Sequence, residues 1–221
     1  MDFMKVLQPG IIALIGGGGK TTFLQTIGAQ LSQHHRVLLC TTTKIYPFPG
    51  IPFARSLGDL DKLRQENSLL YTGQVIPQSG KLGAPDIAMV ELASRFDYIL
   101  VEADGSAHRP MKAHASYEPV IPKNCNQIIC VVGASGFGQP IFKAAHRPEL
   151  YAGIAGVSIN TVITPEIEAK VLRTEHLHDM VLINQVETAK QAEQSQRLGH
   201  LLACPVIAGS LQGGDFFKCE L

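Results

Sequence analysis

The residues with the clearest chemical potential form one short segment near the N-terminus. It consists of four consecutive glycines, a lysine and two threonines: Gly16, Gly17, Gly18, Gly19, Lys20, Thr21 and Thr22. Glycines let successive backbone N–H groups approach phosphate oxygens, because no Cβ stands in the way. A lysine placed after them reaches the β- and γ-phosphates of a nucleoside triphosphate, and the next hydroxyl binds Mg²⁺. The segment therefore predicts a phosphate-binding loop.

The spacing of this loop is that of the short form GxxGKT, from Gly16 to Thr21. The full Walker pattern GxxxxGK[ST] would need a glycine at position 14, where this chain has Leu14. The short form is also used by Mur-type amide ligases. An apolar run precedes the glycines and a helical pattern follows them, which favours a phosphate loop over a flexible glycine linker.

Two acids follow a second apolar run and are candidates for metal binding. Glu102 and Asp104 come after residues 98–101, and Gly105 makes a sharp exit. In P-loop proteins, the strand beside the phosphate loop ends in an acid that holds Mg²⁺ directly or through water. We predict that Asp104 belongs to the metal shell. Glu102 is predicted either to bind the metal or to orient an attacking water, and solvated acids at a strand end are the alternative.

Cationic and hydroxyl side chains near these acids offer further contacts to phosphate. Arg109 and Lys112 follow the acidic turn and could neutralise charge that develops on a transferred phosphoryl group. Residues 41–43 are threonines, followed by Lys44, at the end of another apolar run where hydroxyls face the ligand crevice of parallel sheets. These threonines could equally be ordinary strand residues. We retain Arg109 as a catalytic candidate.

Residues 184–187 have a short likeness to the NKxD element that reads guanine. Asn184 follows a buried apolar run, and Glu187 stands where an acid can accept from guanine N1 and N2, although Gln185 replaces the lysine. An ordinary strand-to-helix loop would have the same pattern. Asn184 and Glu187 are therefore candidate base contacts, and the predicted cofactors are ATP or GTP together with Mg²⁺.

Several secondary-structure elements must position these residues. Short apolar runs rich in β-branched residues predict buried parallel strands at 11–15, 37–40, 98–101, 128–132, 180–183 and 206–208. Helical patterns lie between some of them, at 22–33, 87–95, 165–173 and 188–203. This alternation predicts a three-layer α/β sandwich of the P-loop NTPase type with a mainly parallel sheet. A loop at 47–60, a small hairpin at 68–81 and a helical insert within 140–175 are predicted as excursions from one domain, residues 1–221.

The composition restricts the classes of partner. The chain has 221 residues with 19 basic and 19 acidic side chains, so no global charge draws it to nucleic acid or to anionic lipid. Its five cysteines form no CxxC pair and no zinc-like spacing, which is typical of reduced thiols. No apolar run is long enough to cross a bilayer. We expect a cytoplasmic protein that binds neither nucleic acid nor membranes.

Several segments, in order, resemble the selenium-dependent hydroxylase accessory protein family, also called selenium cofactor biosynthesis proteins. They are IGGGGKTT at 15–22, CTTTKIYP at 40–47, ILVEADGSAHRPMKAHASYEPVIP at 99–122, HRPEL at 146–150 and INQVE at 183–187. The resemblance implies a P-loop nucleotide-binding protein that assists maturation of selenium-containing molybdenum hydroxylases, with such an enzyme or its cofactor as partner. It carries phosphate binding over to residues 16–22 and the acidic site to Glu102 and Asp104.

Three functions are compatible with these observations. The first is a Mg²⁺-dependent NTPase or phosphotransferase that acts as an accessory factor in cofactor maturation. The second is a Mur-type ligase that activates a carboxylate as an acyl phosphate, although the chain is too short for the separate domains of those ligases. The third is a non-enzymatic module whose nucleotide occupancy switches binding to a partner, since no catalytic base is obvious.

Overall fold

Residues 3–220 are described by a computed structural model, in which strands and helices alternate along most of the chain. The strands are β1 (Gly10–Gly16), β2 (Val37–Thr41), β3 (Phe53–Ala54), β4 (Leu69–Thr72), β5 (Gln74–Ile76), β6 (Lys81–Gly83), β7 (Tyr98–Glu102), β8 (Met111–Lys112), β9 (Gln127–Gly133), β10 (Ala145–His146), β11 (Met180–Asn184), β12 (Val206–Gly209) and β13 (Phe216–Lys218). The α-helices are α1 (Lys20–Leu31), α2 (Leu57–Leu63), α3 (Met89–Ala93), α4 (Ile141–Ala144), α5 (Pro148–Ala155), α6 (Pro165–Glu175) and α7 (Ala189–His200).

A nine-stranded sheet with the order β13-β12-β11-β9-β1-β7-β2-β4-β3 forms the centre of the structure. All neighbouring strands in it run parallel except β12 and β13. β1 lies in the middle, with Leu14 beside Glu102 of β7 and Gly16 beside Val131 of β9. The carboxyl ends of these strands meet at one edge, which is where open α/β sheets bind their ligands.

Helices cover both faces of this sheet. Successive side chains of β1 point to opposite faces, as in any strand. Ile12 and Leu14 pack in one apolar cluster with the buried residues of α1. Ala13 and Ile15 pack on the other face with residues of α5, α6 and α7, and α2 and α3 cover the part of that face near β2 and β4. The predicted three-layer α/β sandwich with a mainly parallel sheet is confirmed.

The region between β2 and β7 differs from its prediction. The six predicted strands coincide with β1, β2, β7, β9, β11 and β12. The predicted hairpin at 68–81 was wrong in its first half, because β4 joins the main sheet beside β2 and the hairpin is formed by β5 and β6. Leu70 of β4 is fully buried there, which a free hairpin could not provide. The predicted loop at 47–60 contains β3 and the start of α2, which Ser56 caps by accepting from the Asp59 N–H.

Residues 140–175 contain α4, α5 and α6, and their assignment as an insert in a single domain stays a prediction. Within residues 3–220 we find no helix with the length and apolar character that crossing a bilayer requires.

Candidate nucleotide-binding site

The glycine loop connects β1 to α1 and needs glycine for its backbone. Three of its four glycines have positive φ values, between 64° and 110°, which L side chains rarely adopt. The loop is also closely packed. A Cβ on Gly17 would lie 2.5 Å from the carbonyl oxygen of Pro110, and one on Gly18 would lie 2.4 Å from the backbone nitrogen of Gly133. Gly17 and Gly18 therefore lie between the segment at Pro110 and the end of β9, with no room for side chains.

The N-terminus of α1 opens into a cleft of about 460 Å³. The helix begins at Lys20, and its N-cap Gly19 supplies no side-chain cap to the first turn. The first turn also lacks an acidic residue that would offset the positive end of the helix. Lys20, Thr21 and Thr22 all line the cleft. Unpaired N–H groups at a helix N-terminus bind phosphate, so this end of the cleft suits a phosphate chain.

Lys20 is held in place by the loop and by Asp104. Its side chain is almost fully buried, and its Nζ lies 2.5 Å from the Gly16 carbonyl oxygen and 3.0 Å from Asp104 Oδ1. The other oxygen of Asp104 accepts from the Gly16 N–H at 2.9 Å. One buried carboxylate thus fixes both the first residue of the loop and its lysine.

Asp104 also pairs with two cations on its far side. Lys112 Nζ lies 3.3 Å from Oδ2, and His114 Nε2 lies 2.7 Å from the same oxygen. The second ring nitrogen of His114 lies 2.8 Å from Glu175. We call Lys20, Asp104, Lys112, His114 and Glu175 the Asp104 cluster.

Two pKa values follow from this arrangement. Burial alone would raise the pKa of Asp104, but the His114 hydrogen bond and the charges of Lys20 and Lys112 outweigh it and lower the pKa to about 2. Burial alone would lower the pKa of His114, but hydrogen bonds to Asp104 and Glu175 outweigh it and raise that pKa. An imidazolium that donates from both nitrogens fits between the two carboxylates.

Glu102, the other predicted acid, faces the cleft. The Thr21 hydroxyl donates to Glu102 Oε2 at 2.9 Å, and both residues line the cleft. Burial raises the pKa of Glu102, and the Lys20 charge and the Thr21 hydrogen bond oppose that rise only in part. A hydroxyl and a carboxylate at this spacing are oxygen donors of the kind that Mg²⁺ takes, with phosphate oxygens and water filling its other positions.

Asp104 does not line the cleft, because its oxygens are turned toward the Asp104 cluster and the Gly16 N–H. Its role as a metal ligand stays a prediction. No group of three His, Cys, Asp or Glu side chains within residues 3–220 is arranged to hold a metal ion by itself.

The predicted cations lie on different sides of the acidic turn. Arg109 is exposed, lines the cleft and donates to the Lys143 carbonyl. Lys112 is buried, where it pairs with Asp104 and lies 3.1 Å from Glu118. Of the two, the structure brings only Arg109 to the cleft.

Thr41 and Thr42, at the end of β2, bond to backbone carbonyls rather than line the cleft. Thr41 donates to the Glu102 carbonyl at 2.7 Å, and Thr42 donates to the Val120 carbonyl at 2.6 Å. None of the three threonines at 41–43 lines the cleft, and Lys44, the next residue, does. Thr41 therefore fixes the end of β2 against β7, and Thr42 ties it to the segment at Val120.

Asn184 is bonded to the glycine loop. Its Nδ2 donates to the Gly18 carbonyl at 2.7 Å, and its Oδ1 accepts from the Leu211 N–H at 2.9 Å. Glu187 is exposed and lies outside the cleft lining, whereas Gln185 lines it. Base contacts by Asn184 and Glu187 stay predictions, and the bonds made by Asn184 indicate a role in holding the loop.

Sequence reasoning missed three residues that the structure brings to this region. A histidine in a loop carries little signal by itself, and His114 is buried between two carboxylates. Tyr46 and Lys81 line the cleft and come from segments far apart in the chain. Tyr46 falls within the family segment at 40–47, but no pattern in the sequence points to Lys81.

The cysteines show no sign of activation. Burial raises the pKa of Cys125, and burial also raises that of Cys130 well above its ordinary value. A thiol with a raised pKa is a poor nucleophile at neutral pH.

Comparison with known proteins places the chain among related sequences. Residues 12–149 match the family profile described as YqeC protein. The Uncharacterized protein YqeC of Escherichia coli (strain K12) is 32% identical over 167 residues, which are 72% of this chain and 65% of that protein. The alignment thus spans less than two thirds of the length of that relative. Among solved structures, the MinC:MinD cell division protein complex of Aquifex aeolicus is similar over 89% of this chain and 79% of that chain, with 14% identity and a TM-score of 0.46.

Proposed function

The chain belongs to the YqeC protein family, and from this premise we propose that it is a Mg²⁺-dependent NTPase or phosphotransferase. We propose further that it acts as an accessory factor in the maturation of selenium-dependent molybdenum hydroxylases. The observation that carries the enzymatic part is the Thr21–Glu102 pair, 2.9 Å apart, beside an uncapped helix N-terminus and Lys20 in one cleft.

Each residue of the cleft has a distinct part in this proposal. The N–H groups at the start of α1 bind phosphate oxygens, and Lys20 supplies a positive charge beside them. Thr21 and Glu102 would hold Mg²⁺, which when bound neutralises charge on the phosphates. Arg109, exposed at the cleft, adds a second positive charge where a transferred phosphoryl group would need it.

The accessory role has a different basis. It rests on the family segments at 99–122 and 146–150, the first of which contains seven members of the cleft lining and three of the Asp104 cluster. The role predicts that a strain without this protein loses selenium-dependent hydroxylase activity. Wild-type protein should restore that activity and Lys20→Ala should not, whereas restoration by both would contradict a nucleotide-dependent role.

Calorimetric titration with ATP, GTP and CTP, each with Mg²⁺, tests the enzymatic proposal directly. We expect wild-type protein to bind at least one nucleotide. Lys20→Ala should weaken that binding by roughly tenfold to a hundredfold, because charge-assisted hydrogen bonds contribute about 1.5–3 kcal/mol each. Thr21→Val, which keeps the side-chain shape, should remove most of the Mg²⁺ dependence.

Lys190→Ala is the matched control, since Lys190 is an exposed lysine on α7 away from the cleft. Circular dichroism must show that each variant is folded. Unchanged affinity in folded Lys20→Ala would refute the site. Tight binding with hydrolysis no faster than background would favour the nucleotide-switched module, and ADP release that strictly requires a carboxylate and an amine would favour the ligase.

A further inference from the structure

The end of the cleft nearest β2 is lined by side chains that the phosphate loop does not need. Lys44, Ile45 and Tyr46 follow β2, and Lys81 begins β6. We call these four residues the β2–β6 wall.

The wall is built by a contact between two distant segments. The Ile45 N–H donates to the Leu82 carbonyl at 3.0 Å, and the Leu82 N–H donates to the Ile45 carbonyl at 2.8 Å. Both side chains are buried in the core. Because neighbouring residues on a strand point to opposite sides, Tyr46 and Lys81 are directed away from that core.

Tyr46 and Lys81 form a contact that is open to solvent. The Tyr46 side chain is 59% exposed, and Lys81 Nζ lies 4.7 Å from the centre of its ring. A large exposed aromatic side chain next to a cation offers a planar surface for stacking and a charge for an anion. The backbone bridge at Ile45 and Leu82 holds this pair in place before any ligand binds.

The lining of the cleft carries more positive than negative charge. It contains the cations Lys20, Lys44, Lys81 and Arg109 but only one carboxylate, Glu102. The whole chain, by contrast, has a formal net charge of zero. Within residues 3–220, neither Lys44 nor Lys81 pairs with an acid. Their charges are therefore available to a ligand.

The strand order separates the two ends of the cleft. Ser135 follows β9 and Gln185 follows β11, on one side of the phosphate loop. The β2–β6 wall lies on the other side, beyond Glu102 and β7. A nucleotide whose phosphates lie on the loop can extend its nucleoside toward one end only, which leaves the other end for a second molecule.

We propose that the β2–β6 wall binds the second substrate of this protein, an anionic molecule with a planar aromatic group. The aromatic group stacks on Tyr46, and the anionic group binds Lys81 and Lys44. This inference rests on the proposed function, because it takes the loop end of the cleft as the nucleotide site.

Phenyl phosphate is a suitable probe, with inorganic phosphate and phenol as its two halves. The binding of phenyl phosphate and of phenol is measured by saturation-transfer NMR on protein saturated with Mg²⁺ and the β,γ-imido analogue of the nucleotide found by calorimetry. Inorganic phosphate has no carbon-bound protons, so its affinity is measured by its displacement of phenyl phosphate. We expect phenyl phosphate to bind roughly tenfold more tightly than either half, and Tyr46→Ala and Lys81→Ala each to weaken it by roughly tenfold. Nucleotide affinity should change less than twofold in both variants.

Tyr117→Ala is the control, because Tyr117 is 68% exposed with Arg147 over its ring at 5.2 Å and lies outside the cleft. Absence of probe binding, or equal binding in all variants, overturns the inference. A matching loss of nucleotide affinity in Tyr46→Ala and Lys81→Ala also overturns it, since the wall would then hold the nucleoside.

Failure of the proposed function gives a different result, in which wild-type protein binds no nucleotide. The probe is then titrated without nucleotide. Binding that depends on Tyr46 and Lys81 but not on Lys20 still supports the wall as an anion site, and binding that depends on none of them refutes it.

Discussion

Replacement of Asp104 by asparagine tests the central role of this carboxylate in the site. The Asn side chain has nearly the same shape and can still accept from the Gly16 N–H. It removes the negative charge that faces Lys20 at 3.0 Å and Lys112 at 3.3 Å, both of which are buried. Removing one partner of a buried ion pair typically costs 3–5 kcal/mol, because the remaining charge is left uncompensated. We expect Asp104→Asn to lower the free energy of unfolding by about that amount.

The pH dependence of stability gives an independent value for the stabilisation that the ionised Asp104 contributes. The folded-state pKa of Asp104 is lowered from 3.8 to about 2. A lowered carboxyl pKa stabilises the fold above its unfolded value, and this stabilisation is lost as pH falls toward the folded value. The difference corresponds to about 2 kcal/mol, present above pH ~4 and lost between pH ~4 and pH ~2. This part of the acid sensitivity should be absent from Asp104→Asn.

Urea unfolding followed by circular dichroism, at pH 7 and then in steps down to the acid limit of the fold, measures both quantities. Asp86→Asn is the control, because Asp86 is exposed and surface substitutions of this kind change stability by about 0.5 kcal/mol or less. Two results would show that the buried carboxylate is not the ionised centre of the cluster. One is a loss of unfolding free energy below about 1 kcal/mol at pH 7 for Asp104→Asn. The other is an equal loss of stability between pH ~4 and pH ~2 in wild type and Asp104→Asn.

Two further predictions concern the partners of the loop. The pKa of His114 is raised above 6.5. Its charge therefore contributes fully to the free energy of unfolding below pH 6.5, and this contribution is lost as pH rises through the folded-state pKa. Urea unfolding of wild-type protein should show this loss of stability at higher pH, and His114→Gln should lack it. Asn184→Ala removes the bonds to the Gly18 carbonyl and the Leu211 N–H. It should weaken ATP and GTP alike by roughly tenfold in calorimetry, because the loop contacts the phosphates that both nucleotides share. A changed ratio of ATP to GTP affinity in Asn184→Ala or in Glu187→Ala would instead indicate the predicted base contact.

The central strands could be predicted from the sequence because they are buried on both faces. Each of the six predicted strands is a short run of apolar and β-branched residues, which is the signature of a parallel strand inside a sandwich. β4 and β3 lie toward one edge, and the two-residue β3 has no pattern long enough to recognise. β13 is likewise short and pairs antiparallel with β12. Their place in the sheet depends on tertiary pairing that no local pattern encodes.

The candidate site likewise contains residues that the sequence predicts and residues that it does not. The strand, the glycines and Lys20 are contiguous, so their spacing alone predicts a phosphate loop. The different surroundings of Glu102 and Asp104 could not be predicted, because the two acids are two residues apart and only the fold brings Lys112 and His114 to one of them. Tyr46 and Lys81 depend on a bridge between segments far apart in the chain.

The division between buried and exposed cations also determines how salt acts on this cleft. Lys20 is 2% exposed and enclosed by protein, so mobile ions have little access to it. Lys44 and Arg109 are exposed to solvent, and charges of that kind are screened beyond about 8 Å at physiological ionic strength. Raising the salt concentration should therefore slow the arrival of anionic ligands far more than it hastens their departure from the loop. Association rates carry the ionic-strength dependence, and the lifetime of a phosphate held by Lys20 stays nearly constant.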